Sequence, residues 1–311
     1  MLVNRLLEAS QNRYICSNLN KQMRSFNPTE LPTGKLHNYL LHAVAPRPIA
    51  FASTMDDKGN PNLSPFSFFN VFSANPPILI FSPARRVRDN TVKHTLVNAE
   101  LTREVVINVV NYSLVHQMSL SSTEYGEAVN EFEKAGLTML ASDCVKPFRV
   151  AESPVQMECK VNDIIKLGTE GGAGNLIICE VVKLHIQEAV LNEDGSINQE
   201  KLDLVSRAGG NYYSRAKSGF FEIPKPLSTL GIGVDAIPEM VRKSEVLTGN
   251  DLGMLGNVEA LPSKALAQAF MDNLIEEHPN LKNATLKERH KLAQNYLSYG
   301  DVDSAWKVLL S

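Results

Sequence analysis

Between Pro46 and Val190 the hydrophobic positions fall in short runs and period-two alternations; after Pro226 they recur every three or four residues. The first pattern predicts strands and the second amphipathic helices. "RPIAFASTM" ends at "DDKGN", a cluster of turn-forming residues, and "PNLSPFSFFNVF" returns from it, so the two read as a hairpin. As one extended strand, the returning segment would put Ser64, Phe66, Phe68 and Asn70 on one face. Leu63, Pro65, Ser67, Phe69 and Val71 would share the other. Pro76-Pro77 interrupts the chain before the short strand "ILIFS".

"DNTVKHTLVNAEL" opens on capping residues and spaces Val92, Leu96 and Ala99 along one helical face. "EVVINVV" follows as a buried strand, and "SLVHQMSL" reads as a short helix opened by Ser113. Residues 121–154 are loop-rich. Two long strands, "PVQMECKVNDIIKLG" and "NLIICEVVKLHIQEAV", flank "TEGGAG". Alternating strands joined by turns predict a mainly β fold, a Greek-key or related barrel with short helices. The last part of the chain, with Pro or Ser/Thr helix starts, predicts an α-helical C-terminal extension ending in a helical hairpin around "YGD" and "AWKVLL". The expected divisions are an N-terminal extension over 1–28, a β domain over 29–226 and the helical extension over 227–311. Met23 opens "MRSFNPTEL", so the residues before it are expected to be a mobile extension or an upstream start.

Composition narrows the function classes. Of the 311 residues, 43% are hydrophobic and 21% charged, the values of an ordinary globular protein. A net charge of −3 gives no general attraction to nucleic acid or an anionic membrane, and no apolar run reaches membrane-spanning length. The N-terminus has no signal-peptide core. Cys16, Cys144, Cys159 and Cys179 are scattered without C-x-x-C spacing, which points to reduced thiols and a cytoplasmic location. The histidines likewise lack metal-ligand spacing, so no metal site is expected.

Three stretches carry candidate chemistry. "GTEGGAGN" joins two strands and not a strand and a helix, so it reads as a hairpin turn instead of a dinucleotide loop. "SPARRVRDNTVKHT" brings Arg85, Arg86, Arg88 and Lys93 to a predicted helix start with Thr91 and Thr95, a setting that stabilises an anion. A solvated basic loop is the plainer alternative. "SPFSFFN" alternates rings with hydroxyls, as a planar heterocycle would require of its pocket; serines bonded to backbone in an ordinary β core are the alternative.

Taken together, "HAVAPRPIAFASTMDDKGNPNLSPFSFFNVFSANPPILIFS" followed by "KHTLVN" resembles the flavin reductase-like family with the FMN-binding split barrel. The shared features are a Pro-Arg-Pro strand start, an Asn-x-(Ala/Ser)-Pro-(Phe/Tyr)-Ser-Phe-Phe strand, a Pro-Pro break and a Lys-Asp-Thr-x-x-Asn helix. The likeness runs from about Leu36 to Ile223. It implies a split β-barrel in which Arg47, Pro48, Ile49 and Ala50 line the flavin side of the first strand. It further implies that Ser64, Ser67 and Phe68 face the isoalloxazine and ribityl chain. Lys93 and Thr95 would hold the phosphate, with Ser82 or a loop arginine. His94 stands where the family has Asp, which removes any bond that Asp makes. Arg207 and Tyr212, in "RAGGNYYSR", would approach the pocket, although a plain turn fits that stretch equally well.

The implied activity is an NAD(P)H:flavin oxidoreductase with FMN as cofactor and NADH or NADPH as co-substrate. Flavin N5 would carry the chemistry, so no catalytic side chain is required. The basic run at 85–88 leans toward the extra phosphate of NADPH. A homodimer is implied, with a protein redox partner as an open option. Two other readings stand beside it: a flavoredoxin-like carrier with permanently bound FMN, and a non-catalytic module that binds a partner through the C-terminal helices.

Overall fold

The computed structural model describes residues 23–126, 129–223, 227 and 230–311. Residues 1–22, which include Cys16 and most of the expected extension, lie outside them, as does Pro226. The chain divides into one compact unit over Ser25–Phe221 and a second that contains Glu222–Ser311.

The first unit opens with helix α1 (Thr33–Ala43) and is built on a seven-stranded antiparallel sheet. Its strands are β1 (Ala50–Met55), β2 (Pro61–Phe66), β3 (Phe69–Ala74), β4 (Pro77–Phe81), β5 (Glu104–Val109), β8 (Val155–Lys166) and β9 (Asn175–Ile186), while β6 (Met139–Leu140) and β7 (Arg149–Val150) pair apart from it. They lie in the order β2-β1-β5-β8-β9-β4-β3. The β1–β2 hairpin forms as its turn chemistry predicts. The Asp56 carboxylate accepts N–H bonds from Lys58 and Asn60 at 2.9 and 2.8 Å, and Gly59 takes φ +90°. The β8–β9 turn is the glycine stretch 168–174, again a hairpin, with Gly172 at φ +94°.

One expectation is corrected. The segment 61–72 is not a single strand: it breaks at Ser67 and Phe68, and β2 and β3 end on opposite edges of the sheet. The two-faced alternation therefore stops at Phe66. The break is held from outside the segment, where the Phe68 carbonyl accepts the Ser82 N–H at 2.8 Å.

The central strands β1 and β5 are buried almost throughout, because successive side chains point to opposite faces and each face carries a core. Ala50 and Ala52 join Phe66, Phe81, Ile107, Val161 and Ile177 in one core, closed by Leu96 and Ala99 of α2 (His94–Thr102). Ile49, Phe51 and Leu63 join a second core with Met118 of α3 (Val115–Leu120) and Phe132 of α4 (Glu131–Ala135). Full burial of a side chain such as Phe51 stabilises by about 1.5–3 kcal/mol. Leu96 and Ala99 occupy the expected inner face, but α2 starts at His94, after the Asp89–Asn90 turn. Ser113 does not open α3; its hydroxyl bonds Asn111 in a preceding 3₁₀ turn, Tyr112–Leu114.

The edge of β2 is protected chemically. Pro61 and Pro65 have no N–H to expose, and the N–H of Leu63 between them is taken by the buried Glu131 carboxylate at 3.1 Å. On the other edge, β3 leaves Val71 and Phe72 exposed. Two short strands, β10 (Val205–Arg207) and β11 (Tyr213–Arg215), pair beyond the sheet after α5 (Gln199–Leu202).

The second unit is helical: α6 (Glu239–Arg242), α7 (Gly249–Gly256), α8 (Lys264–Glu277), α9 (Leu286–Ser298) and α10 (Val302–Leu310). Thr248 with Asp251 and Thr285 with Glu288 form capping boxes that start α7 and α9. The turn at Gly300, φ +78°, folds α10 back, so that Ala305, Trp306 and Leu309 join Leu255 and Leu297 in a core of their own. The Trp306 indole N–H donates to the Leu255 carbonyl at 3.0 Å. No helix among the described residues is long and apolar enough to cross a membrane.

Candidate functional site

A pocket of about 460 Å³, within the usual range for a small-molecule site, opens at the end of β2. Ile49, Pro65, Phe66 and Ser67 form one wall, and Met118, Ser119 and Ser122 form the second. Arg207, Asn211 and Tyr213 form the third. The Arg207 guanidinium lies 4.6 Å from the centre of the Tyr213 ring and donates to the Tyr212 carbonyl at 3.0 Å, so this wall is pinned. Its backbone is joined to the strand entry by an isolated bridge between Arg47 and Arg207.

Arg47 is a buried clamp. Its guanidinium donates to the carbonyls of Leu41 (2.6 Å), Val44 and Ala208 (3.3 Å), and lies 3.4 Å from the Ser67 hydroxyl. Burial, and then the charge of Arg207, lower its pKa. These bonds tie the end of α1 and the 207–208 backbone to the pocket rim. Gly209 is required close by: a Cβ there would stand 2.2 Å from the His42 ring.

The basic loop folds around a carboxylate. Arg86 donates from Nε to Glu124 Oε1 at 2.9 Å, Arg88 donates from Nη2 to Oε2 at 2.8 Å, and Lys93 Nζ lies 4.0 Å from Oε1. The Arg88 and Arg86 hydrogen bonds hold the Glu124 carboxyl below its ordinary value. Burial first, then the charge of Arg86, lowers the Lys93 ammonium. The glycine turn buttresses this loop from below: a Cβ on Gly171 would meet the Arg86 carbonyl oxygen at 3.0 Å. Arg85 is spent on Asn90, at 2.6 and 2.7 Å.

The other expected residues fall around these two features. Thr95 is buried, and its hydroxyl accepts the Asn62 amide at 2.9 Å. The same Asn62 amide reaches the Thr54 hydroxyl at 3.2 Å, where Asn98 also donates. This buried network pins α2 to β1 and β2. The Ser82 hydroxyl accepts the Asn175 N–H at 3.0 Å, and a Cβ on Gly174 would stand 2.8 Å from it. Ala50 lies wholly within the first core, Ser64 is half-buried on β2, and Pro48 is exposed. Phe68 is partly exposed with its ring edge-on to His37 at 6.3 Å. Tyr212 is exposed outside the pocket wall.

Ile49 and Ser67 thus meet at the pocket, while Lys93 belongs to the cation cluster. Asn62, next to Thr95, and Phe66, at the pocket, are four residues apart on β2, on the order of 13 Å at the β rise. The two neighbourhoods sit at the two ends of one strand. They are also joined by the loop after α3, which lines the pocket at Ser122 and reaches the cations at Glu124. Sequence reasoning missed Met118, Ser119, Ser122, Asn211, Tyr213 and Glu124. Met118 could have been found as the inward position of a short amphipathic helix, but nothing local marks Glu124 as the partner of residues 36 and 38 positions away.

Asp143, Glu158 and His185 bring ligand-type atoms within 4.8 Å of one another. Their bonding is that of a latch. Glu158 accepts backbone N–H groups from Asp143, Cys144 and Val145 and lies 2.7 Å from His185 Nε2, while Asp143 pairs with Lys183 at 2.5 Å.

Residues 42–205 match the family model of the flavin reductase like domain, about half of the chain. An uncharacterized protein of Aquifex aeolicus is 38% identical over 181 residues, covering 58% of this chain and 90% of that one. Among solved structures, nitrilotriacetate monooxygenase component B from Bacillus cereus superposes with a TM-score of 0.60 at 30% identity, covering 66% of this chain and 98% of that one. A Shewanella frigidimarina protein, assigned as a flavin reductase with a split barrel domain, superposes with a TM-score of 0.56 at 25% identity. It covers 66% of this chain and 100% of that one.

Proposed function

The chain belongs to the flavin reductase-like domain family, and from that premise we propose that it binds FMN and takes hydride onto it from NADH or NADPH. The observation that carries the reading is the pairing of the Ile49–Ser67 pocket with the Arg86–Arg88–Lys93 cluster, linked by β2 and by the Ser122–Glu124 loop. The residues fit the cofactor in kind. The pocket mixes apolar and hydroxyl walls for a planar ring, and the cluster already seats an anion, the Glu124 carboxylate. Bound there, a flavin supplies hydride acceptance at N5.

The side chains bind, orient and exclude water. Ile49, Pro65 and Met118 give the ring its apolar contact, and Ser67 and Ser122 offer hydroxyls at its edge. Arg207 and Tyr213 close the outer wall. Lys93 and Arg86 take the phosphate, with Thr95 positioning the start of α2 through Asn62. Charge-assisted bonds contribute about 1.5–3 kcal/mol each, whereas association costs on the order of 4–15 kcal/mol. Ring burial must therefore supplement the phosphate contacts. A homodimer completes the proposal, supported by the exposed Val71 and Phe72 on the β3 edge.

The test is the visible spectrum of the purified protein, followed by anaerobic addition of NADH or NADPH. A flavin spectrum that bleaches supports the reductase. A flavin spectrum that persists indicates an electron carrier. Protein that stays colourless after soaking in FMN overturns the cofactor reading.

A further inference from the structure

In the reading above, the carboxylate at the centre of the basic cluster serves only as a sign that the cluster accepts an anion. Glu124 is half-exposed, on a loop, and receives Arg86 at 2.9 Å, Arg88 at 2.8 Å and Lys93 at 4.0 Å. Arg86 and Arg88 have other partners as well. Arg86 also donates to the Thr91 hydroxyl at 2.7 Å and to the Val92 carbonyl at 2.9 Å, and Arg88 reaches Asp89 at 3.1 Å. Lys93 immediately precedes α2. Three cations thus converge from a braced loop and a helix start on a single carboxylate, with Asp89 as the other anion paired there.

This arrangement is undercompensated and exchangeable. Exposed ion pairs hold weakly. A phosphate monoester brings up to two charges and three acceptor oxygens to the same donors. It outcompetes a single carboxylate wherever the donors stay in place when the carboxylate leaves. Here the bonds of Arg86 to Thr91 and Val92 keep its guanidinium directed at the cluster.

Resting on the FMN reading, we infer that Glu124 is a specificity-determining residue: its carboxylate occupies the phosphate subsite and must be displaced by the ligand's phosphate. Glu124 then lowers affinity for phosphorylated flavin without touching the ring. It also connects ligand arrival to the pocket, because the loop released at Glu124 carries Ser122 of the pocket wall.

The experiment titrates the full-length protein and its Glu124→Gln variant with FMN and with riboflavin, which lacks the phosphate, by flavin fluorescence quenching. The variant should bind FMN roughly two- to thirtyfold more tightly, the range spanned by two exposed ion pairs. Riboflavin affinity should stay within about twofold on the same scale. Equal shifts for the two flavins, or weaker FMN binding by the variant, would overturn the inference and leave Glu124 as a latch that merely orders its loop. If neither flavin binds the natural protein, the cofactor reading fails, and inorganic phosphate followed by ³¹P NMR decides the inference alone. Tighter phosphate binding by Glu124→Gln upholds it, and unchanged binding overturns it.

Discussion

Replacing Glu158 with alanine should be among the most damaging single changes in the β unit. The side chain is wholly buried on β8 and gathers the 143–145 backbone: N–H groups of Asp143 at 2.9 Å, Cys144 at 2.5 Å and Val145 at 3.2 Å, with His185 Nε2 at 2.7 Å. Truncation strips the acceptor from three amides at once. One buried donor left unpaired costs about 1–3 kcal/mol, and removing one side of a buried charged contact costs about 3–5 kcal/mol. Water reaches part of this loop, so a loss of about 3–5 kcal/mol is expected, a large share of a typical 5–15 kcal/mol total.

The loss depends on pH with a definite sign. Burial pushes the Glu158 carboxyl up, but the Asp143 and Cys144 amides and His185 outweigh it and leave the carboxyl below its ordinary value. A depressed folded-state value means that stabilisation is present above the free glutamate pKa, about 4.3, and is lost as pH falls through the folded value. The gap between natural protein and Glu158→Ala should therefore be widest at neutral pH and narrow in acid. Urea unfolding by far-UV circular dichroism gives the size, and hydrogen exchange over residues 141–150 gives the place. A loss under about 1 kcal/mol at pH 7, or unchanged exchange in that loop, would refute the assignment of the carboxylate as what holds it.

Asn62→Ala should cost about 1–3 kcal/mol in chemical unfolding, because the buried Thr95 hydroxyl loses its donor. It should also weaken FMN more than riboflavin in titrations, since α2 and Lys93 lose their tie to β2. His290 is buried, with Nδ1 2.7 Å from the Ser244 hydroxyl and no partner for Nε2 among the described residues. Burial lowers its pKa, so its contribution is present above the free histidine value of about 6.5 and lost as pH falls below it. The single tryptophan, Trp306, lies in the same helical unit. Fluorescence-monitored urea midpoints should drop from pH 7 to pH 5 in the natural protein and stay level in His290→Leu.

The local elements were legible wherever short-range chemistry decides. Asp56 and Gly59 dictate the first hairpin, and the glycines at 168–174 dictate the second, since the Asp56 carboxylate meets the amides of Lys58 and Asn60 within its own turn and only certain residues adopt positive φ. The inner face of α2 and the Ser or Thr starts of α8 and α9 follow from spacing for the same reason, whereas the capping boxes emerged only with the structure. The break after Phe66 was not legible: alternation continues through Asn70, and only the bond from Ser82 to Phe68 diverts the chain to the far edge of the sheet. The candidate site was legible as motifs but not as a bonding pattern. Arg47 faces carbonyls of α1 and of residue 208 instead of open space, and Thr95 faces Asn62.

The amino-acid order by itself determined that this chain makes a β domain followed by helices, and that a basic helix start and a ring-and-hydroxyl strand occur in one domain. Periodicity and turn chemistry act over a few residues, so they can be read without a fold. Which cation meets which anion, and which hydroxyl is already spent, was decided only by the tertiary structure. Glu124 meets Arg86 across 38 positions only once the chain is folded, and no local preference encodes that meeting.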